Sequence, residues 1–347
     1  MDFKVYRFME RKRIEYLDAV KGFAIFLMVM GHAIAWNYAQ SDEICIYNFN
    51  QPIHIKMGGM IWQLIYSFHM PLFFMISGFL LYKTYSWKDF IPFLKKKVFR
   101  LLLPWICTFG IIYFVRGSMG YWFLLCLFQL SIIGFLMIIF MEKVNKNAYW
   151  IVDVFFMGIF YIILRYFHVQ DWNISGIDIG QHFVNSLLPF VTGILLRKHK
   201  VLFSICIEKN WFYTCAFIVF FLVFISRYLL NECFMFEILF HYSPIILSII
   251  GSFLVIHAFA QGIFKRFWSV LSYLGSKTLP VYILHILFVL QCHSVGNFIL
   301  NQNCTTVIPI QILYVTFVSV IAIVFSIILY KIISISFILR RMFFGEW

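Results

Sequence analysis

Long apolar runs alternate along the whole chain with short polar segments. The runs fall at about Lys21–Ala39, Met57–Tyr82, Val98–Val115, Tyr121–Met141, Tyr149–Phe167, Gln181–Leu196, Trp211–Leu230, Ile238–Gly262, Thr278–Val295 and Val307–Ile333. About 20 apolar residues in a helix cross the hydrocarbon core of a bilayer. The pattern therefore predicts an all-α, polytopic transmembrane bundle of about ten helices, forming one domain over residues 1–347. The sixth run is the shortest. The second contains Pro71, which predicts a kink or tilt. Gln40 to Lys56 reads as the longest outer loop, placed to shape an entrance. There is no internal repeat and no low-complexity segment.

Composition rules out a soluble domain. The chain has 347 residues, 63% hydrophobic and 12% charged, whereas soluble domains run at about 45–50% apolar and about 25% charged. The net charge of +13 does not point to nucleic acid, because the basic residues sit in short clusters between apolar runs. Those clusters set orientation. With the N-terminus inside, alternation leaves only Lys56, Arg116, Arg165 and Arg227 outside, out of 28 Lys and Arg. Both ends are therefore expected on the cytoplasmic side. Gly22 to Trp36 follows a basic stretch but continues beyond signal-peptide length without a small-residue cleavage site, so it is read as a retained first helix.

The eight cysteines show no metal-ligand spacing, and most lie within apolar runs as small hydrophobes. Cys45 and Cys304 fall in outer loops, where a disulfide between them is an open alternative. No metal constellation, Gly-rich phosphate loop or Ser-His-Asp arrangement is readable. The informative residues are the ionisable ones inside spans, which are costly there and mark function. Lys21 and His32 are eleven positions apart. At about 100° and 1.5 Å per residue they share one helix face, about 16 Å apart along the axis. Asp18 lies three residues before Lys21, close to the same stripe.

Five segments carry a resemblance. They are IEYLDAVKGFAIFLMVMGHA (Ile14 to Ala33), FHMPLFFMISGFLL (Phe68 to Leu81), KKKVFRLLLPW (Lys95 to Trp105), YWFLLCLF (Tyr121 to Phe128) and LGSKTLPVYILH (Leu274 to His285). In this order they resemble the acyltransferase-3 family of membrane O-acyltransferases, especially members that O-acetylate surface sugars. That family's signature is a basic residue, ten residues and an essential His. Here these are Lys21, standing where Arg is usual, and His32. The family's Arg-x-x-Arg at the third helix corresponds to Lys97 and Arg100.

The resemblance implies transfer of an acyl group, usually acetyl, from cytoplasmic acyl-CoA to a hydroxyl of a glycan or lipid-linked sugar. It implies acetyl-CoA as donor substrate, no metal, and a place in the bacterial cytoplasmic membrane. An imidazole titrates near neutral pH and can serve as base to the acceptor hydroxyl, so His32 is the candidate base; transient acetyl-imidazole formation is the alternative. Lys21 either holds the CoA side of a tunnel or pairs with Asp18. Lys97 and Arg100 are candidates for CoA phosphates. His69, two residues before Pro71, lines the acyl path, meets the acceptor or packs between helices; His285 is read the same way. Trp122 is an interface anchor or a sugar platform, and Ser77 and Gly78 are packing residues. Arg165, His182, Glu237 and His241 near the outer face are weaker acceptor candidates. Two other classes compete: a transporter using intramembrane His and Lys as a proton relay, and a silent scaffold for glycan assembly.

Overall fold

The computed structural model describes residues 15–37, 44–49, 51–55, 59–116, 122–145, 149–167, 169–171, 179–199, 204, 209–229, 237–300, 302 and 304–346. In chain order the helices are α1 (Glu15–Asn37), α2 (Gly59–Leu81), α3 (Phe90–Lys97), α4 (Leu103–Arg116), α5 (Trp122–Val144), α6 (Trp150–Tyr166), α7 (Ile179–Lys198), α8 (Asn210–Leu229), α9 (Glu237–Ala260), α10 (Trp268–Ser276), α11 (Thr278–Phe288), α12 (His293–Leu300), α13 (Cys304–Ile333) and α14 (Phe337–Phe344). Strands β1 (Ile44–Phe49) and β2 (Gln51–Ile55) form an antiparallel hairpin between α1 and α2. The expected loop at 40–56 is thus partly a hairpin, because its Ile, Tyr and Phe residues suit a pleated backbone.

Among the described residues, five helices are long and apolar enough to cross a membrane: Tyr16–Asn37, Ile61–Leu81, Trp122–Val144, Ser243–Ala260 and Thr306–Ile333. A sixth candidate is a broken pair, Lys265–Ser276 and Thr278–Phe288, bent by 84°. The expected ninth span therefore departs from a straight helix: it begins after a sharp bend at Lys277 and its helix ends at Phe288. The third departs differently. α3 continues through a π turn, Val98–Leu102, into α4, so Lys97 and Arg100 lie inside a longer helical run than the expected Val98–Val115 and not at its mouth. The possible pairing of Cys45 with Cys304 concerns side chains outside the described ones.

The chain divides into two compact units, residues 1–70 with 213–330 and residues 71–212 with 331–347. In the first, α1 packs against α9, α10, α11 and α12. Ala19, Val20, Ala24, Val29, Ala33 and Ile34 of α1 are wholly buried. The approach to α10 is close because glycine faces backbone on both sides. A Cβ at Gly22 would overlap the Leu271 carbonyl oxygen, and one at Gly275 would overlap that of Asp18. Small residues that let backbones touch are the usual basis of helix packing in membranes. Phe220, Val223 and Phe224 of α8 pack with Leu247 of α9 in a separate cluster.

α13 shows what an interior and a lipid face look like on one helix. Leu313, Phe317, Val320, Val324 and Ile328 are exposed at three- and four-residue spacing, Leu313 by 72%. Val315, Val318, Ser319, Ala322 and Ser326 are buried. The Ser319 and Ser326 hydroxyls donate to carbonyls four residues earlier, Val315 and Ala322. Large apolar side chains outside and small, internally bonded ones inside are an arrangement for lipid, not water.

In the second unit, α7 packs on α5 and α6. Gly78 and Gly193 repeat the device of reciprocal close approach: a Cβ at Gly78 would meet the Phe190 carbonyl oxygen, and one at Gly193 that of Met75. The packing role expected for Gly78 follows from this contact. Phe135, wholly buried, gathers Tyr85, Phe90 and Phe93 around it with centroids 4.6, 5.5 and 4.8 Å away. α14 packs on α4 and on the π turn, and Gly345 at φ 59° brings the chain end against the backbone of Phe99 and Arg100.

The ends of α5, α6 and α7 share a buried polar cluster. Lys198 Nζ lies 2.9 Å from Asp153 Oδ2 and 3.9 Å from Glu142 Oε1. His199 Nε2 lies 2.7 Å from the same Asp153 oxygen, and the Tyr82 hydroxyl donates to Glu142 at 2.6 Å. Asp153 is 1% exposed. Removing one partner of a buried pair leaves an uncompensated charge, at a cost of about 3–5 kcal/mol. Asp153→Ala should therefore lower the thermal unfolding temperature of the detergent-solubilised protein well beyond Lys88→Ala, a change at an exposed position.

Candidate functional site

Three of the candidate histidines of the first unit are His32 on α1, His69 on α2 and His285 on α11. α1 is an unbroken helix from Glu15 to Asn37, so the eleven-residue spacing of Lys21 and His32 keeps its predicted meaning. His32 is half-buried, whereas His69 and His285 are buried. His32 Nδ1 lies 2.8 Å from His285 Nε2, and the two ring planes meet edge to edge, 14° apart, with centroids 5.0 Å apart. Trp36, one turn on, stacks on His32 at 5.3 Å. His285 Nδ1 lies 3.0 Å from the Val281 carbonyl oxygen on its own helix.

His69 Nδ1 donates to the Ile65 carbonyl at 2.8 Å, the bond that a helical His makes back along its own turn. Tyr66 meets the His69 ring edge-on at 4.7 Å and stacks on Trp62 at 4.1 Å. Gly31 leaves room for the Tyr66 ring, since a Cβ there would lie 2.7 Å from Tyr66 Cε2. Gly31 thus lets α2's aromatic side chain lie directly against α1, one residue from His32.

Asn37 holds the far end of α1 in place. Its Nδ2 donates to the Ala33 and Leu290 carbonyls at 2.8 and 2.9 Å. Its Oδ1 accepts from the Cys292 amide at 2.8 Å and the Tyr314 hydroxyl at 2.9 Å. All four bonding capacities of the amide are used, fastening α1 to the segment after α11 and to α13. Asn37 was readable only as the polar end of an apolar run. The Asp153 cluster was hidden for another reason: Lys198 looks like one more cation in an inner loop.

Lys21 is brought to Asp18, Nζ to Oδ1 2.5 Å, and not to His32. Lys97 and Arg100 belong to the second unit. Lys97 is half-buried with its ammonium 5.4 Å above the Phe93 ring, and Arg100 is exposed at the π turn. Burial pushes the Lys97 ammonium down to about 8, with the Arg100 and Lys96 charges adding to the fall. A π turn is a frequent marker of functional positions in helices. α14 brings Arg340 and Arg341 onto the same segment's neighbourhood, their guanidinium carbons 5.5 and 3.9 Å from the Phe337 ring centroid.

Of the other candidates, Trp122 stacks face to face on His182 with centroids 3.9 Å apart, so one face of the indole is covered. Arg165 lies over Tyr161. The side chains of Glu237 and His241 are outside the described ones. Among the described residues no group of His, Cys, Asp and Glu could hold a metal ion.

An imidazole with one nitrogen engaged and the ring half-buried can accept a proton from a bound hydroxyl. Residues 14–331 match the acyltransferase-3 family, described as an acyltransferase domain, and the match runs through both units. No curated protein and no solved structure matches the chain.

Proposed function

The chain belongs to the acyltransferase-3 family and is a membrane acyltransferase, and on that premise we propose that it moves an acetyl group from cytoplasmic acetyl-CoA to a hydroxyl of a surface glycan or lipid-linked sugar. The observation that carries the reading is the half-buried His32 imidazole within an apolar helix, held by His285 with one nitrogen left over. Residues of this kind within spans are functional by default. In this reading His32 removes the proton of the acceptor hydroxyl as the oxygen attacks the thioester carbonyl. The C–O bond forms, the C–S bond breaks, and the departing CoA sulfur takes the proton from the imidazolium to leave as free thiol. His69 lines the acyl path.

In this reading both chain ends lie at the cytoplasmic face, which the charge alternation supports, and the membrane is the bacterial inner membrane that the family resemblance implies. Lys21, at that end of α1, lines the donor side while paired to Asp18. Lys97 and Arg100 take the phosphates of CoA, Arg100 by the bidentate grip that guanidinium allows. Arg100→Ala should raise the KM for acetyl-CoA about tenfold with kcat little changed, the loss of one charge-assisted contact. An unchanged KM in a steady-state assay removes Arg100 from the donor site.

Lys97 adds a pH dependence. With its ammonium titrating at about 8, the free protein loses this cation as pH rises through that value. The kcat/KM for acetyl-CoA should then fall above about pH 8 in the wild-type protein, and Lys97→Arg, permanently charged, should hold it to higher pH. A profile identical in both proteins would exclude Lys97 from the donor site.

A further inference from the structure

We infer that His285 is a positioning residue that sets the tautomer of His32 and aims its Nε2 lone pair at the acceptor hydroxyl. The inference rests on the reading of His32 as the base.

The Val281 carbonyl oxygen is only an acceptor. His285 Nδ1, 3.0 Å away, must therefore carry a proton and donate it. A neutral imidazole with its proton on Nδ1 has a lone pair on Nε2. That lone pair faces His32 Nδ1 at 2.8 Å. Two lone pairs at this distance repel, so His32 Nδ1 carries the proton and donates to His285. Neutral His32 then has its own lone pair on Nε2. Among the described residues, Nε2 of His32 has no hydrogen-bond partner.

The order is Val281 C=O, His285, His32, open lone pair. It performs the task that a carboxylate performs in a Ser-His-Asp triad, where the third group fixes the imidazole tautomer and orientation. Here a neutral imidazole stands in the carboxylate's place, suited to an apolar surrounding where an extra buried charge would be costly. When His32 takes the hydroxyl proton on Nε2, its Nδ1–H still donates to His285, so the bond survives proton transfer and supports the imidazolium. Burial makes the arrangement rigid. His285 is 0% exposed, flanked by buried Leu284 and Ile286, while Trp36 stacks on His32. Asn37, five residues after His32, pins α1 to the Leu290 carbonyl just beyond α11, so the register between the two rings is held from a second point.

Histidine free in water favours the proton on Nε2. Without His285, His32 should revert to that tautomer and present no lone pair to the acceptor. The test uses the full-length protein in detergent or vesicles, with acetyl-CoA as donor and a sugar hydroxyl acceptor. His285→Phe keeps the volume and removes the acceptor; His285→Gln places an amide oxygen near the position of Nε2. The Phe variant should lose about 100-fold or more in kcat, the scale of a misaligned base, with KM for acetyl-CoA within about twofold. The Gln variant should recover at least about tenfold of that loss. In ¹⁵N-histidine spectra, wild-type His32 should show an unprotonated Nε2, and the Phe variant a protonated one. A Phe variant with wild-type kcat and an unchanged His32 tautomer overturns the inference. If the Phe variant does not accumulate, the Gln variant decides: kcat within about tenfold of wild type with unprotonated Nε2 supports the assignment, whereas that kcat with protonated Nε2, or a lower kcat with Nε2 still unprotonated, overturns it. His32→Ala separates the two levels. If that variant stays active the base reading itself fails, whereas an inactive His32→Ala beside a fully active His285→Phe sinks only the role given to His285.

Discussion

His32→Ala should lower acetyl transfer by about 10³-fold or more while the protein still inserts and purifies as the wild type does. General-base catalysis by a positioned side chain contributes about 10²–10⁴-fold, and here the loss includes the only lone pair that the His32–His285 arrangement offers. The fold should tolerate the change. His32 is half-buried, its neighbour Ala33 is already a small residue in full contact, and α1 is fastened elsewhere by Asn37 and by its glycine contact with α10. His285 would lose its Nε2 partner, at a cost of about 1–3 kcal/mol, which lowers stability without explaining a thousandfold loss of rate. The measurement is initial rate of CoA thiol release with acceptor present, normalised to folded protein.

The second large effect is on the fold. Gly22→Val and Gly275→Val should each prevent accumulation of monodisperse protein. At both positions a side chain meets a backbone carbonyl of the facing helix, and a carbonyl cannot rotate away as a side chain can. α1 and α10 would have to separate along their contact, and α1 carries Asp18, Lys21 and His32. Overpacking costs about 1–3 kcal/mol where side chains can adjust, and backbone contact raises that. Gly158 is the matched control: a Cβ there meets nothing within 4 Å. Gly158→Ala should leave yield and unfolding temperature equal to or slightly above wild type, since Ala is about 1 kcal/mol better than Gly within a helix. Size-exclusion profiles of the three variants in one detergent check both halves of the prediction.

Where the sequence was legible, a simple physical quantity carried the information. The apolar runs around α1, α2, α5, α9 and α13 are long and uninterrupted, and each became a helix able to cross a bilayer. Hydropathy sums apolar residues without regard to direction, so it read Thr278 to Val295 as one span although the helix ends at Phe288, and it gave no sign of the 84° bend at Lys277 just before that span. Gly275, Ser276 and Pro280 around that bend were the available warning. The Ile44–Phe49 and Gln51–Ile55 strands carried β-favouring residues, yet a polar setting between two spans made a loop the simpler reading.

The site divides in the same way. Lys21, His32 and Asp18 share one helix, so periodicity alone related them, and the pair Lys21–Asp18 formed as one of the two readings had it. His285 is 253 positions from His32. No local pattern says that two such residues meet, and their contact emerges only when α11 packs on α1. Arg100 looked like the entrance of a helix because charge there suits a membrane boundary; the π turn that surrounds it depends on how α3 runs into α4.

The most direct test of the account is a balance sheet in sealed vesicles containing the purified protein, with acetyl-CoA carrying a labelled acetyl group on one side and a sugar acceptor on the other. Label should appear on an acceptor hydroxyl in equal amount to CoA thiol released, and both should vanish together in His32→Ala. Substrate or proton flux across the vesicle without CoA release, or transfer that persists in His32→Ala, would contradict it.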